Sequence, residues 1–294
     1  MKKILLLLLL TLPVAGWAKA DQLTVGITLH PYYSYVAQVV GDAAQVQPLI
    51  EGGFNPHNYE LQPADIRRLH EMDALVVNGI GHDEFALHAL EGLQLPDLTV
   101  IYANRDVPLL GYSENSNSYN PHTFVSIDAA IRQIYTLAAE LGKLDPGHAE
   151  TFRNNALAAA RELRQLKNHY RAQLLDLDLS RVRLASTHNA YGYLLQEFGI
   201  SIDTVIEPAH GVEPSASQLQ QTIDRVHQAN IQVLFTELDM DNSYVEVIEQ
   251  ATGIRIYHFS HMTHGEYDAR MVNREMEHNL KTLVKALRQA AEQS

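Results

Sequence analysis

Strand-like and helix-like segments alternate along nearly the whole chain, in two series divided by one long helical stretch. In the first series Leu23–Leu29, Val46–Ile50, Ala74–Asn78 and Leu98–Tyr102 read as strands, short apolar runs bounded by polar or turn residues. Helices are expected over Ser34–Val40, from Pro63 to about Met72, over His82–Leu90, and from a Ser126 cap to about Leu141. Ser113–Asn120 reads as an exposed loop. The second series repeats the pattern, with strands at Arg181–Ser186, Ser201–Ile206, Gln232–Thr236 and Ile254–His258. Its helices are expected at Ala190–Phe198, Ser215–Ala229, Tyr244–Ala251 and from about Ala269 to Ala291. Successive strands separated by helices must run parallel, because the crossover returns the chain to the same edge. Each series therefore predicts a parallel sheet covered by helices on its faces.

Between the two series lies Pro146–Leu175. Phe152, Ala156, Ala159, Leu163, Leu166, Tyr170 and Leu174 recur there at three- and four-residue steps, which is one apolar stripe on a helix. A helix of some thirty residues is a rod about 45 Å long. The expected architecture is α/β: two lobes of parallel sheet flanked by helices, joined by one long rigid linker helix, with a ligand site in the interlobe cleft. The predicted partition is a leader over 1–20, a first lobe over 21–144, the linker over 145–176 and a second lobe over 177–294. Nearly three hundred residues also exceed what one core usually serves.

Lys2 and Lys3, the apolar run Ile4–Leu12 and the small-residue site Ala18-Lys19-Ala20 form a secretory signal peptide, so the mature chain is expected to begin at Asp21. The run is too short to span a bilayer. The sequence has no cysteine, which excludes disulfides, thiolate ligands, a cysteine nucleophile and a lipid-modified cysteine behind the leader. A periplasmic protein without a lipid anchor is expected. The net charge of −13 argues against nucleic acid and anionic membrane as partners and suits a cation, though acidic surfaces also serve solubility.

There are 15 histidines. Three stand out by context: His57 in Asn55-Pro56-His57-Asn58, His122 in Asn120-Pro121-His122-Thr123, and His188 in Ser186-Thr187-His188-Asn189. All three fall between elements, at or near the carboxyl ends of strands, where open α/β sheets place ligands. They lie far apart in the chain, as a cleft between lobes requires and a local zinc finger does not. Three imidazoles suit Zn²⁺, and a carboxylate would complete a tetrahedron. Asp268 is the first choice for that place and Glu266 the next, although both also suit the start of the last helix. His258, His261 and His264 recur every third residue after a strand; His261 and His264 are candidates for an accessory metal patch, or form a polar loop at the cleft rim. Glu237 is a candidate acceptor behind a ligand histidine, or a plain strand-end acid. His30 and His82 read as structural or exposed.

With these motifs in view the chain resembles the periplasmic zinc/manganese solute-binding proteins of ABC importers, the ZnuA-like cluster A-I group. Pro56-His57-Asn58-Tyr59-Glu60-Leu61-Gln62-Pro63-Ala64-Asp65 is similar to the family's first ligand signature, and Asn78-Gly79-Ile80-Gly81 to its following turn. Asn120-Pro121-His122 is similar to the second ligand motif, with Phe124 where tryptophan is common, and His188-Asn189-Ala190-Tyr191-Gly192-Tyr193 to the third. Glu213-Pro214-Ser215 and the Leu219 helix also fit. The resemblance implies two (β/α) lobes, a rigid helical linker and a buried metal at their interface. Manganese-selective members commonly carry a carboxylate at the third position, so His188 argues for zinc. Two features depart from the family: Tyr112–Tyr119 lacks the histidines of the usual acid- and His-rich loop, and the carboxylate near the last helix does not align cleanly.

The expected function is capture of Zn²⁺, as transported ligand and not as cofactor, by a monomer that delivers it to the membrane permease subunit of an ABC metal importer, without catalysis. The alternatives are a manganese or iron importer component and a periplasmic zinc hydrolase, since three histidines and an open position also make a catalytic site. Against the hydrolase, the chain has no His-Glu-x-x-His helix and no Gly-x-Ser-x-Gly elbow.

Overall fold

The computed structural model describes residues 22–50, 59–111, 118–206, 214–238 and 243–292. The leader and His57 lie outside these. In the first lobe β1 (Leu23–Ile27), α1 (His30–Val40), β2 (Ala44–Pro48), α2 (Pro63–Leu69), β3 (Ala74–Val77), α3 (Glu84–Gly92) and β4 (Thr99–Tyr102) alternate before α4 (Ile127–Leu144). After α5 (Ala149–Ala172) come β5 (Leu184–Ser186), α6 (Gly192–Gln196), β6 (Thr204–Val205), α7 (Ala216–Gln228), β7 (Val233–Glu237), α8 (Ser243–Thr252), β8 (Arg255–Phe259) and α9 (Met271–Ala291).

The strands form two parallel four-stranded sheets of the same winding, β2-β1-β3-β4 and β6-β5-β7-β8. Every residue of β3 and of β7 is buried; β3 is a continuous apolar run, and β7 is apolar over Val233–Phe235 before it ends in Thr236 and Glu237. Helix starts follow local chemistry. Ser126 accepts the Ala129 N–H at the head of α4, and Ser215 accepts the Gln218 N–H at the head of α7. The Gln62 side chain and Asp65 form a capping box on α2.

The helix between the lobes begins at Ala149, later than Pro146 suggests. Asp145 closes a turn first: its carbonyl and carboxylate accept the His148 N–H, and its Oδ2 lies 2.7 Å from His148 Nδ1. Phe152, Ala156, Ala159, Ala160, Leu163 and Tyr170 are the buried stripe of α5, which packs along α4 and reaches α1 and α9.

The two lobes share more than that rod. On α9, Met271, Val272, Met276 and Leu280 join the first lobe's core, whereas Leu283, Ala286, Leu287 and Ala290 join a core of the second lobe. The last helix therefore ties one sheet layer to the other. Each large apolar side chain buried at that junction contributes roughly 1.5–3 kcal/mol. No helix among the described residues is long and apolar enough to cross a membrane.

Candidate metal centre

Three of the buried histidines meet where the sheets face each other. His122 follows Asn120-Pro121 ahead of a short 3-10 turn at Thr123–Val125, His188 follows the carboxyl end of β5, and His261 follows β8. They are 0%, 3% and 4% exposed. One nitrogen of each lies within 4.8 Å of the others, and this is the one such group of His, Asp and Glu among the described residues. His122 Nε2 and His188 Nε2 are 2.9 Å apart. Two nitrogens on one tetrahedral Zn²⁺ stand about 3.3 Å apart at bond lengths near 2.05 Å, so the pair needs only a small opening to admit an ion.

The chain fixes each ring through its neighbours. Asn120 Oδ1 accepts both the His122 backbone N–H (3.0 Å) and its Nδ1–H (2.8 Å). That bond puts the proton on Nδ1 and leaves the Nε2 lone pair facing the cleft, the orientation metal-bound imidazoles adopt. The Thr187 N–H bonds to the Phe235 carbonyl of β7, and Ser186 Oγ donates to the His188 carbonyl, which sets the turn carrying His188. Asn279 of α9 clamps the residue before His261, accepting from the Ser260 N–H (2.7 Å) and donating to the Ser260 carbonyl (2.9 Å). Phe124, fully buried, closes the floor with its ring 6.0 Å from that of His122 and 5.7 Å from that of His261.

A polar network lies beneath. Asn78 Nδ2 donates to the Gly81 carbonyl (2.8 Å) and the Pro121 carbonyl (3.1 Å), the residues just before His82 and His122. Tyr32 Oη and Asn104 Nδ2 donate to Asn78 Oδ1. Gln133 Nε2 donates to Asn104 Oδ1 and to Thr123 Oγ1. Asp83 accepts the Asn78 and Gly79 N–H groups and the Thr28 hydroxyl. Burial nevertheless raises its carboxyl to about 6, against the pull of those donors.

The lobes are stitched on both sides of the histidines. On one side Asn120 Nδ2 donates to the Asn189 carbonyl (2.8 Å), and Tyr193 Oη donates to the Asn120 carbonyl while accepting the Leu110 N–H. Further back, the Ser126 hydroxyl and the Asp128 N–H donate to Glu197, whose other oxygen pairs with Lys167 at 3.2 Å. Burial pushes the Glu197 carboxyl above its ordinary value. On the other side Ser34 Oγ donates to the Asp268 carbonyl, Gln38 Nε2 to the Ala269 carbonyl, and Tyr267 Oη to the Ile50 carbonyl.

The remaining candidates fall as follows. His57 lies outside the described residues. Asp268 does not enter the histidine group: its carboxylate accepts the Arg270 N–H and pairs with Arg274 at 2.7 Å. The Arg270 N–H and then the Arg274 guanidinium hold that carboxyl below its usual range. Glu266 and His264 are exposed. Thr263 Oγ1 lies 3.1 Å from His264 Nδ1 and 3.3 Å from His261 Nδ1, so a hydroxyl joins the two histidines of the loop. His258 is exposed and its carbonyl meets His278. Glu237 is buried at the carboxyl end of β7, the strand between β5 and β8. His30 is buried, stacks on Tyr267 and faces the Gly265 carbonyl; burial lowers its basicity. His82 is also buried, with its ring 4.5 Å from that of His122.

Two parallel-sheet lobes closing on buried imidazoles define a metal-binding solute-binding protein of ABC metal uptake. Residues 25–286 match the family described as zinc-uptake complex component A, periplasmic (ZnuA), and the chain belongs to that family. It is 23% identical over 250 residues to the high-affinity zinc uptake system protein ZnuA of Bacillus subtilis, covering 81% of this chain and 78% of that protein. It is 23% identical over 219 residues to the manganese-binding lipoprotein MntA of Halalkalibacterium halodurans, covering 74% of this chain and 72% of that one. Among solved structures, the SBP FpvC from Pseudomonas aeruginosa in complex with Ni²⁺ superposes with a TM-score of 0.86 at 46% identity, covering 92% of this chain and 98% of FpvC. The same protein has also been solved with Mn²⁺.

Proposed function

We propose that this chain captures Zn²⁺ in the periplasm on His122, His188 and His261, with His57 as a further ligand, and delivers it as a monomer to the permease of an ABC importer. The convergence of three buried imidazoles from three distant segments carries this reading. An all-nitrogen set is softer than the carboxylate-bearing sets that suit manganese, and it favours zinc and nickel over manganese by the usual order of affinities. Glu237, buried beside the strands that bring His188 and His261, supplies negative charge near the dication. His261 replaces Asp268 as the fourth ligand in this reading, and Asp268 serves the start of α9. The chain does no chemistry on its cargo; only deprotonated imidazole binds, so retention falls as pH drops through the histidine range.

A second reading has support of its own: the 46%-identical FpvC has been solved with Ni²⁺ and with Mn²⁺, which points to a site that accepts several divalent ions. Metal analysis of the purified chain, with competitive titration of Zn²⁺, Ni²⁺ and Mn²⁺, separates the two. We expect about one bound ion per chain, zinc retained above manganese, and loss of binding in a triple His122, His188 and His261 to Ala variant. Manganese held more tightly than zinc would overturn the zinc assignment, and full binding by the triple variant would remove the site.

A further inference from the structure

We propose that His82 is an additional metal ligand, placed opposite His261, that lets the bound ion expand beyond four-coordination. The proposal rests on the site assigned above and extends it. Ring spacing is the main argument. An ion bonded at 2.0–2.1 Å to a ring nitrogen lies about 3.2 Å from the ring centroid. Two ligand rings at a tetrahedral angle then have centroids about 5.2 Å apart, two at a right angle about 4.5 Å, and two opposite about 6.4 Å. The three pairs among His122, His188 and His261 measure 4.7, 5.1 and 5.7 Å and bracket the tetrahedral value. His82 lies 4.5 Å from His122 and 6.5 Å from His261. Those are the separations of a ligand at right angles to His122 and across the ion from His261, in a set opened from tetrahedral towards octahedral angles; opposite a vertex of a closed tetrahedron the spacing to His122 would be about 3.7 Å.

The backbone around His82 is held in an uncommon state for this placement. His82 has φ of +73°, which is rare for a residue with a Cβ, and it is 3% exposed. Asn78 holds the carbonyl before it, and Asp83 after it is anchored to the Asn78 and Gly79 N–H groups. Strain retained by surrounding hydrogen bonds concentrates at functional positions. His82 is outside the three-residue group that shares a 4.8 Å reach, so a turn of its ring towards the ion is part of the proposal. Its chemical consequence is selectivity: Ni²⁺ and Co²⁺ use five or six nitrogen donors readily, whereas Zn²⁺ is satisfied with four.

The test uses the full chain labelled with ¹⁵N-histidine, and its His82→Asn variant, since asparagine tolerates positive φ. Zn²⁺ and Ni²⁺ are the ions titrated, and Co²⁺ is the spectroscopic probe. We expect the ring nitrogens of His82, His122, His188 and His261 all to undergo the large paramagnetic shift of direct ligation on Co²⁺ addition. In His82→Asn we expect the Co²⁺ visible bands to intensify, as they do when the ion reverts to four-coordination. Ni²⁺ retention should fall roughly tenfold or more, with a smaller loss for Zn²⁺. A His82 ring nitrogen unmoved while the other three shift, or a Co²⁺ spectrum unchanged in the variant, would overturn the proposal and leave the three-histidine site standing. If none of the four shifts, the site itself is wrong. Should His82→Asn fail to fold, the nitrogen shifts of the unaltered chain decide the matter alone.

Discussion

Asn120→Ala tests how the metal centre is held together. In the native chain the Asn120 side chain makes three hydrogen bonds: two acceptances from His122, at its N–H and Nδ1–H, and one donation to the Asn189 carbonyl across the cleft. Removing the acceptor frees the His122 ring to rotate and to change tautomer. Loss of such a partner behind a ligand histidine typically costs 10–100-fold in metal affinity, about 1.4–2.8 kcal/mol. Loss of the donation to Asn189 weakens one of the stitches between lobes and adds about 1 kcal/mol to the cost in fold stability. Asn120→Asp keeps both acceptances and loses the donation, while adding a carboxylate charge that makes the His122 ring more basic. Affinity is read by titration against a chelator of known strength, and fold stability by thermal unfolding of the metal-free protein. We expect Asn120→Ala to lose affinity within that range while Asn120→Asp keeps most of it. Equal affinity for Asn120→Ala and the parent, or equal losses in the two variants, would refute the claim that this amide orients His122.

Three further substitutions probe the frame. Burial raises the Glu197 carboxyl, so the native state holds its proton at pH values where the unfolded chain has released it. That contribution is fully present below the unfolded value near 4.3 and is lost as pH rises through the raised native value. Glu197→Gln should therefore gain on the parent in stability as pH rises above the unfolded value near 4.3; parallel stability curves above that pH would contradict the assignment. Gly81→Ala sets a Cβ 2.9 Å from the Pro121 Cβ at φ +127°, just ahead of His82 and His122. It should cost about 1–3 kcal/mol in thermal unfolding and weaken metal binding with it. Phe152→Ala, at a fully buried site on α5, should lose about 3–5 kcal/mol by denaturant unfolding, with the site itself intact when metal is supplied to the folded fraction.

The division between what is local and what is tertiary runs through particular residues. Parallel sheets were legible because a strand buried on both faces, such as β3, is a run of apolar residues, and a covering helix shows its stripe. Caps were legible because they are local: Ser126 and Ser215 each accept the N–H three residues on. His122 and His188 could be singled out because each follows a recognisable motif at the edge of a sheet. The choice within the loop after β8 could not be read this way. A loop has no fixed period, so nothing in the order of residues says whether His261 or Asp268 turns inward. Asn279, clamping Ser260, and Arg274, holding Asp268, make that choice, and both belong to α9. The crossing of α9 between the two cores was hidden too, since one apolar stripe cannot say how many partners it packs against. The elements, the sheets and the supply of imidazoles were set locally, by short-range periodicity and neighbouring hydrogen bonds. Which imidazoles share one point was set by packing, because side chains from three segments are held there by contacts distant in the chain.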